Sequence, residues 1–156
     1  MDEKASKYLA VETAGSAVVN GILNLGAAFA IFHSRSQVPA TGPASLLRDS
    51  IGETFLVTAL SVLVPSLIAR RRRRAGTLPI SADSRPKPAG NLYLRAIVAG
   101  LIFTCVCLPC NALLLPWMFP NGVSFRNVLL FKTLYGTGLG SIATFLAVRK
   151  ALKEVD

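Results

Sequence analysis

Acidic residues are scarce in this chain. There are eight among 156, against seventeen lysines and arginines, and charged residues of both signs make up only 16%. A soluble domain carries about 25%, so long stretches here have little to hold them in water. Histidine occurs once, as His33, with no cysteine or serine motif beside it. That leaves no catalytic constellation and no metal-ligand spacing. Cys105, Cys107 and Cys110 all fall in one apolar run. On a helix they cannot bridge one another without bending it back on itself, and Cys105 points nearly opposite Cys107, which argues against a copper site. The glycines of YGTGLGS have no lysine–serine pair after them and no strand before them, so a phosphate loop is excluded. Neither an enzyme nor a bound cofactor or metal is expected.

What the chain has in quantity is apolar length. Hydrophobic residues make up 52% and the mean hydropathy is +0.51. Four runs, at about 8–32, 46–69, 93–117 and 125–148, hold most of them. Each supplies the roughly 20 apolar residues needed to cross a bilayer core about 30 Å thick. The expectation is therefore all-α: a single membrane domain over 1–156, with four transmembrane helices and a linker over 70–92. The charged leader is mixed rather than basic and Glu12 interrupts the first run, so that run is read as a span and not as a signal peptide. Small residues crowd span one, and Gly136-x-x-x-Gly140 in span four reads as a close helix contact. Pro109 is expected to kink span three, and Pro116 and Pro120 to end it.

A net charge of +9 would point to nucleic acid in a soluble protein. Here most of the surplus sits in one loop, so no nucleic-acid partner is expected. Arg70, Arg71, Arg72, Arg73 and Arg74, with Arg85, Lys87 and Arg95, surround that loop. Basic residues are retained in the cytoplasm during insertion, which places the loop and both termini there. The arginine run thus reads as a topology determinant, with anionic lipid head groups as its partners. The two halves also look like repeated helical hairpins, since each second helix opens with an arginine (Arg48, Arg126) and ends in a basic cluster.

Ionised residues inside a span cost about 2.5–3.5 kcal/mol on insertion scales and are usually paired or functional. Span one carries Glu12, Ser16, Asn20 and Asn24 at i, i+4 spacing; span two carries Asp49, Glu53 and Thr54; span three Asn111; span four Lys132 and Tyr135. Glu53 precedes Arg70, and Lys132 precedes Arg149, by the same number of residues, and Asn24 and Asn111 count to a similar depth. Asn20, Asn24, Asp49, Glu53, Asn111 and Lys132 therefore form a candidate polar cluster in the outer half, with Lys132 expected to pair with Glu53 or Asp49. It reads either as a passage for a small polar solute or ion or as packing within an accessory or scaffolding subunit. Four helices enclose little volume, so a homo-oligomer or a larger membrane complex is expected.

The segments NGILNLGAAFAIF, RDSIGETFLVTALSVLVPSLIARRRRR and SFRNVLLFKTLYGTGLGSIATFLAVRKAL resemble a group of small four-span bacterial inner-membrane proteins with no established activity. Asn24, Asp49 with Thr54 and Phe55, the arginine run and Lys132 carry the resemblance. It implies a bacterial inner-membrane location. Glu53 departs from that group's pattern, so the resemblance favours Asp49 as the partner of Lys132.

Overall fold

A computed structural model describes residues 3–77 and 90–153. Most of the expected linker, 78–89 with Arg85 and Lys87, lies outside the described residues. The chain is all-α in its main elements: α1 Glu3–Phe32, α2 Leu46–Arg74, α3 Leu92–Met118 and α4 Phe125–Ala151. At 1.5 Å per residue these helices are about 40–45 Å long, and all four are long and apolar enough to cross a membrane.

The helices overrun the expected spans at the start of α1, by five residues, and at the ends of α2 and α4, by five and three. The arginine run does not open the linker but continues α2 through Arg74. Arginine is a good helix former, and positive charge in a last turn favours the helix dipole. α3 ends at Met118, between Pro116 and Pro120 and one residue from the expected end. The Phe119 amide donates to Leu115 O at 2.9 Å, closing the last turn beyond the proline. The sequence also gave no sign of a short antiparallel pair, β1 Gln37–Val38 with β2 Val123–Ser124. It ties the α1–α2 loop to the α3–α4 loop. Gly122 makes this possible at φ +86°, with Val38 O only 3.2 Å from where a Cβ would sit.

α2 and α4 run side by side in the middle. α1 packs against α4, and α3 against the far side of α2. The helices of each sequence hairpin are thus not one another's main neighbours. One end of the bundle gathers Ala5, Leu9, Ala69, Val148 and Leu152 beside the arginines. The strand end gathers Ala28, Phe32, Val38, Leu46, Leu115 and Val128.

The surface reverses the pattern of a soluble protein. Val18, Ile22, Leu56, Leu60, Leu113, Trp117, Leu130 and Leu134 are at least half exposed, while Asn20, Asn24, Thr54, Thr58, Asn111, Lys132 and Thr144 are buried. Apolar patches of that extent match lipid rather than water, and turning ionisable groups toward the bundle interior is the rule within a bilayer. The protein is a multi-pass membrane protein.

Candidate functional site

The site starts with the cap of α2. Ser45 Oγ accepts from the Arg48 amide at 3.3 Å and donates to Gly42 O at 2.7 Å, which fixes where the helix begins. One turn in, Asp49 and Glu53 stand at i, i+4 on one face, where two like charges repel. Lys132 of α4 resolves the repulsion, because its ammonium donates to Asp49 Oδ2 and to Glu53 Oε2. Its side chain is 2% exposed, against 5% for Glu53 and 24% for Asp49. Lys132 thus pairs with both candidate partners. Glu53 Oε1 is buried and without a hydrogen-bond partner.

Beside the triad runs a hydrogen-bonded chain from α3 through α4 to α2. Asn111 Nδ2 donates to the Tyr135 hydroxyl at 3.1 Å. Tyr135 lies 2.7 Å from Thr54 Oγ1, which donates to Ser50 O at 2.6 Å. With the Thr54 proton committed to the backbone, Tyr135 is the donor in the middle bond. Asn111 also reaches Ser50 Oγ at 3.4 Å, and Phe131 stacks on the Tyr135 ring at 5.6 Å. Tyr135 and Ser50 were not part of the expected cluster. Their signal was available, since Tyr135 follows Lys132 by three residues and Ser50 follows Asp49 directly.

Asn20 and Asn24 sit elsewhere. Both are buried on the α4 face of α1, over glycines: a Cβ at Gly136 would come within 2.9 Å of Asn24 Cβ, and one at Gly140 within 2.9 Å of Asn20 Cβ. The contact expected of Gly136-x-x-x-Gly140 is therefore made with α1. Asn24 donates to Asn20 O at 2.8 Å, and Asn20 donates to Ser16 O, Ser16 Oγ and Ser61 Oγ at 2.9, 3.0 and 3.1 Å. Thr144 closes the group, 2.6 Å from Ser16 Oγ and 3.2 Å from Ser61 O. Among the described residues no hydrogen bond joins this seam to the triad. The six expected residues form two groups rather than one ring. Asp49, Glu53 and Lys132 come together with Asn111 alongside, and the two asparagines of α1 form a seam of their own.

The arginine run is partly engaged within the chain. Arg70 donates to Gly90 O at 2.7 Å and Arg73 to Ala151 O. Arg72 lies 3.4 Å from Glu12 and over the Tyr8 ring at 5.2 Å. Arg71 and Arg74 are exposed. A cavity of about 330 Å³ at the strand end, lined by Phe32, Arg35, Ser45, Arg48, Asp49 and Gly52, brings the triad its contact with the outside. A larger groove of about 880 Å³ lies between α1 and α4 toward the arginine end, lined by Ala10, Ala14, Phe145 and Arg149 among others. It is a groove between helices remote from the triad, so its size carries no weight for the chemistry here.

No family model matches the chain, and neither a curated protein nor a solved structure matches it.

Proposed function

We propose that the protein carries a small polar solute or ion across a bacterial inner membrane, with the Asp49–Lys132–Glu53 triad and Asn111 lining the passage. The observation that carries this reading is the surplus carboxylate. A lysine that only held α2 to α4 would need one acidic partner, and a second buried carboxylate with an unpartnered oxygen costs stability without adding cohesion. Function is the economical reason to keep it. Asp49 faces the strand-end cavity and so gives the triad an opening. In this reading the arginine end and both termini are cytoplasmic, the cavity opens outward, and Arg71 and Arg74 meet anionic head groups. The largely unburied α3 supports assembly as a homo-oligomer or within a larger membrane complex.

A second reading has its own support. The seam of Asn20, Ser16, Ser61 and Thr144 is bonded throughout and packed on glycine, as befits an accessory or scaffolding subunit whose polar groups only hold helices together. One experiment separates the two. The triple variant Lys132→Met, Asp49→Asn, Glu53→Gln removes all three charges and approximately keeps volume. Under the transport reading it inserts and matches the parent's heat stability in detergent but loses solute or ion flux in proteoliposomes. A stable triple variant with full flux or an intact cellular phenotype sinks that reading in favour of the scaffold. Cysteine labelling from either side of the membrane tests the orientation, and reaction of a Ser81→Cys variant from the outside would overturn it.

A further inference from the structure

The charge count of the triad leads further than its geometry alone. Two carboxylates and one ammonium leave one negative charge in excess, inside a bundle where an uncompensated charge is expensive. The groups in and beside the triad come from three helices. From α4 come Lys132, which takes Oε2, and one turn on Tyr135, whose hydroxyl is engaged with Thr54 and Asn111. From α2 comes Asp49, itself on Lys132; Arg48 and, from the α1–α2 loop, Arg35 share the cavity with it, but their guanidinium groups donate to Pro43 O and Ala44 O at 2.9 Å each. From α3 comes the neutral Asn111. Among the described residues, neither carboxylate has an ion-pair partner other than Lys132. Glu53 Oε1 is left buried and bare.

We propose that the triad binds one proton, held on the Glu53 carboxyl, and that this proton is the ion the passage moves; the second half rests on the transport reading above, the first does not. A proton suits the site where a metal ion does not. A hard metal cation takes about six oxygen ligands, whereas Glu53 Oε1 has no hydrogen-bonding group in reach and a lysine ammonium stands on the other oxygen. Among the described residues no group of acidic, cysteine or histidine side chains could hold a metal. A proton needs one oxygen and cancels the surplus charge.

The two carboxyls differ in access, which gives the proton a direction. Asp49 is 24% exposed and Glu53 5%, so a proton from the strand-end cavity meets Asp49 first. Transfer then converts an Asp49 acid and a Glu53 carboxylate into an Asp49 carboxylate and a Glu53 acid. The Lys132 ammonium stays protonated throughout and pairs with whichever carboxylate is ionised. The net charge of the site is zero before and after, so the step needs no further ion.

Infrared spectroscopy of the purified protein at neutral pH counts protonated carboxyls through the acid carbonyl band that shifts in heavy water. The expected count of buried acids is one in the parent and none in Glu53→Gln. It is none in Asp49→Asn, where one carboxylate and one ammonium already balance, and two in Lys132→Met, where neither carboxylate has a counter-charge. A parent with no buried acid band, or an Asp49→Asn variant that keeps one, overturns the proposal. Should Lys132→Met fail to fold, the two amide variants, which relieve the excess charge, still decide. Proteoliposome flux keeps the two ideas apart. A parent with the acid band but no proton flux retains the binding site and loses the transport reading. Flux of another solute with no acid band does the reverse.

Discussion

The two polar groups of this bundle lie at neighbouring depths on α4 and are built on opposite principles. In the seam between α1 and α4, small residues bring backbones close, and Asn20 spends its amide protons on serine oxygens of α1 and α2. In the triad between α2 and α4, a fully buried ammonium meets two carboxylates and leaves one oxygen bare. The seam is what cohesion requires. The triad carries more charge than cohesion requires, and among the described residues it is the place where a buried carboxylate oxygen is left bare, whereas the other unpartnered buried atoms, such as Thr58 Oγ1 and Ser66 Oγ, are mostly neutral hydroxyls. Polar residues inside a membrane bundle are therefore better sorted by the charge they leave uncompensated than by how deep they lie.

Breaking the triad on one side should have the largest effect. Lys132→Ala removes the ammonium that Asp49 and Glu53 share, and removing one member of a buried pair costs about 3–5 kcal/mol. Denaturant titration in detergent should show that loss. A loss below about 1 kcal/mol would mean that the carboxylates are solvated from the cavity instead of held by Lys132.

Wedging the seam comes next. Gly140→Leu drives a side chain into Asn20, and overpacking of this kind costs about 1–3 kcal/mol. Stability should fall by that amount, while flux per folded molecule stays near the parent's. Flux lost in proportion beyond stability would make the seam part of the passage.

A smaller effect is expected from Tyr135→Phe, which removes the hydroxyl linking Asn111 to Thr54. The loss should be about 1 kcal/mol in thermal unfolding, and larger than that of Ser61→Ala in the seam. A hydrogen bond between membrane helices averages about 0.6 kcal/mol, and Asn20 keeps its two Ser16 contacts when Ser61 is truncated. Equal losses at the two positions would blur the contrast between the groups.

Much of this fold was legible in the sequence because helix length and apolar content are local properties. The four spans needed only composition and the bilayer's thickness. The division of the polar residues was not legible, because counting along a helix gives depth and not the direction a side chain faces. Asn24 and Lys132 count to similar depths, yet Asn24 lies over Gly136 and Lys132 turns to α2. Which helix α1 would choose depended on the close approach at Gly136 and Gly140. That motif was readable, but its partner was not. The pairing of Lys132 with both carboxylates was half visible: Asp49 and Glu53 share a face by spacing alone, and only the packing of α4 on α2 puts one ammonium within reach of both. The strand pair was invisible because two residues on each side carry no periodicity.

The contrast between an open triad and a closed seam is tested most directly by water access. In a background with Cys105, Cys107 and Cys110 replaced by alanine, Asp49→Cys and Asn20→Cys place one thiol in each group. Neither strands a charge, since Lys132 keeps Glu53 in the first case. A small, charged thiol reagent applied to proteoliposomes should modify the Asp49→Cys protein from the side of the strand-end cavity and leave the Asn20→Cys protein unmodified. Equal modification of both, or modification at position 20 alone, would contradict the account.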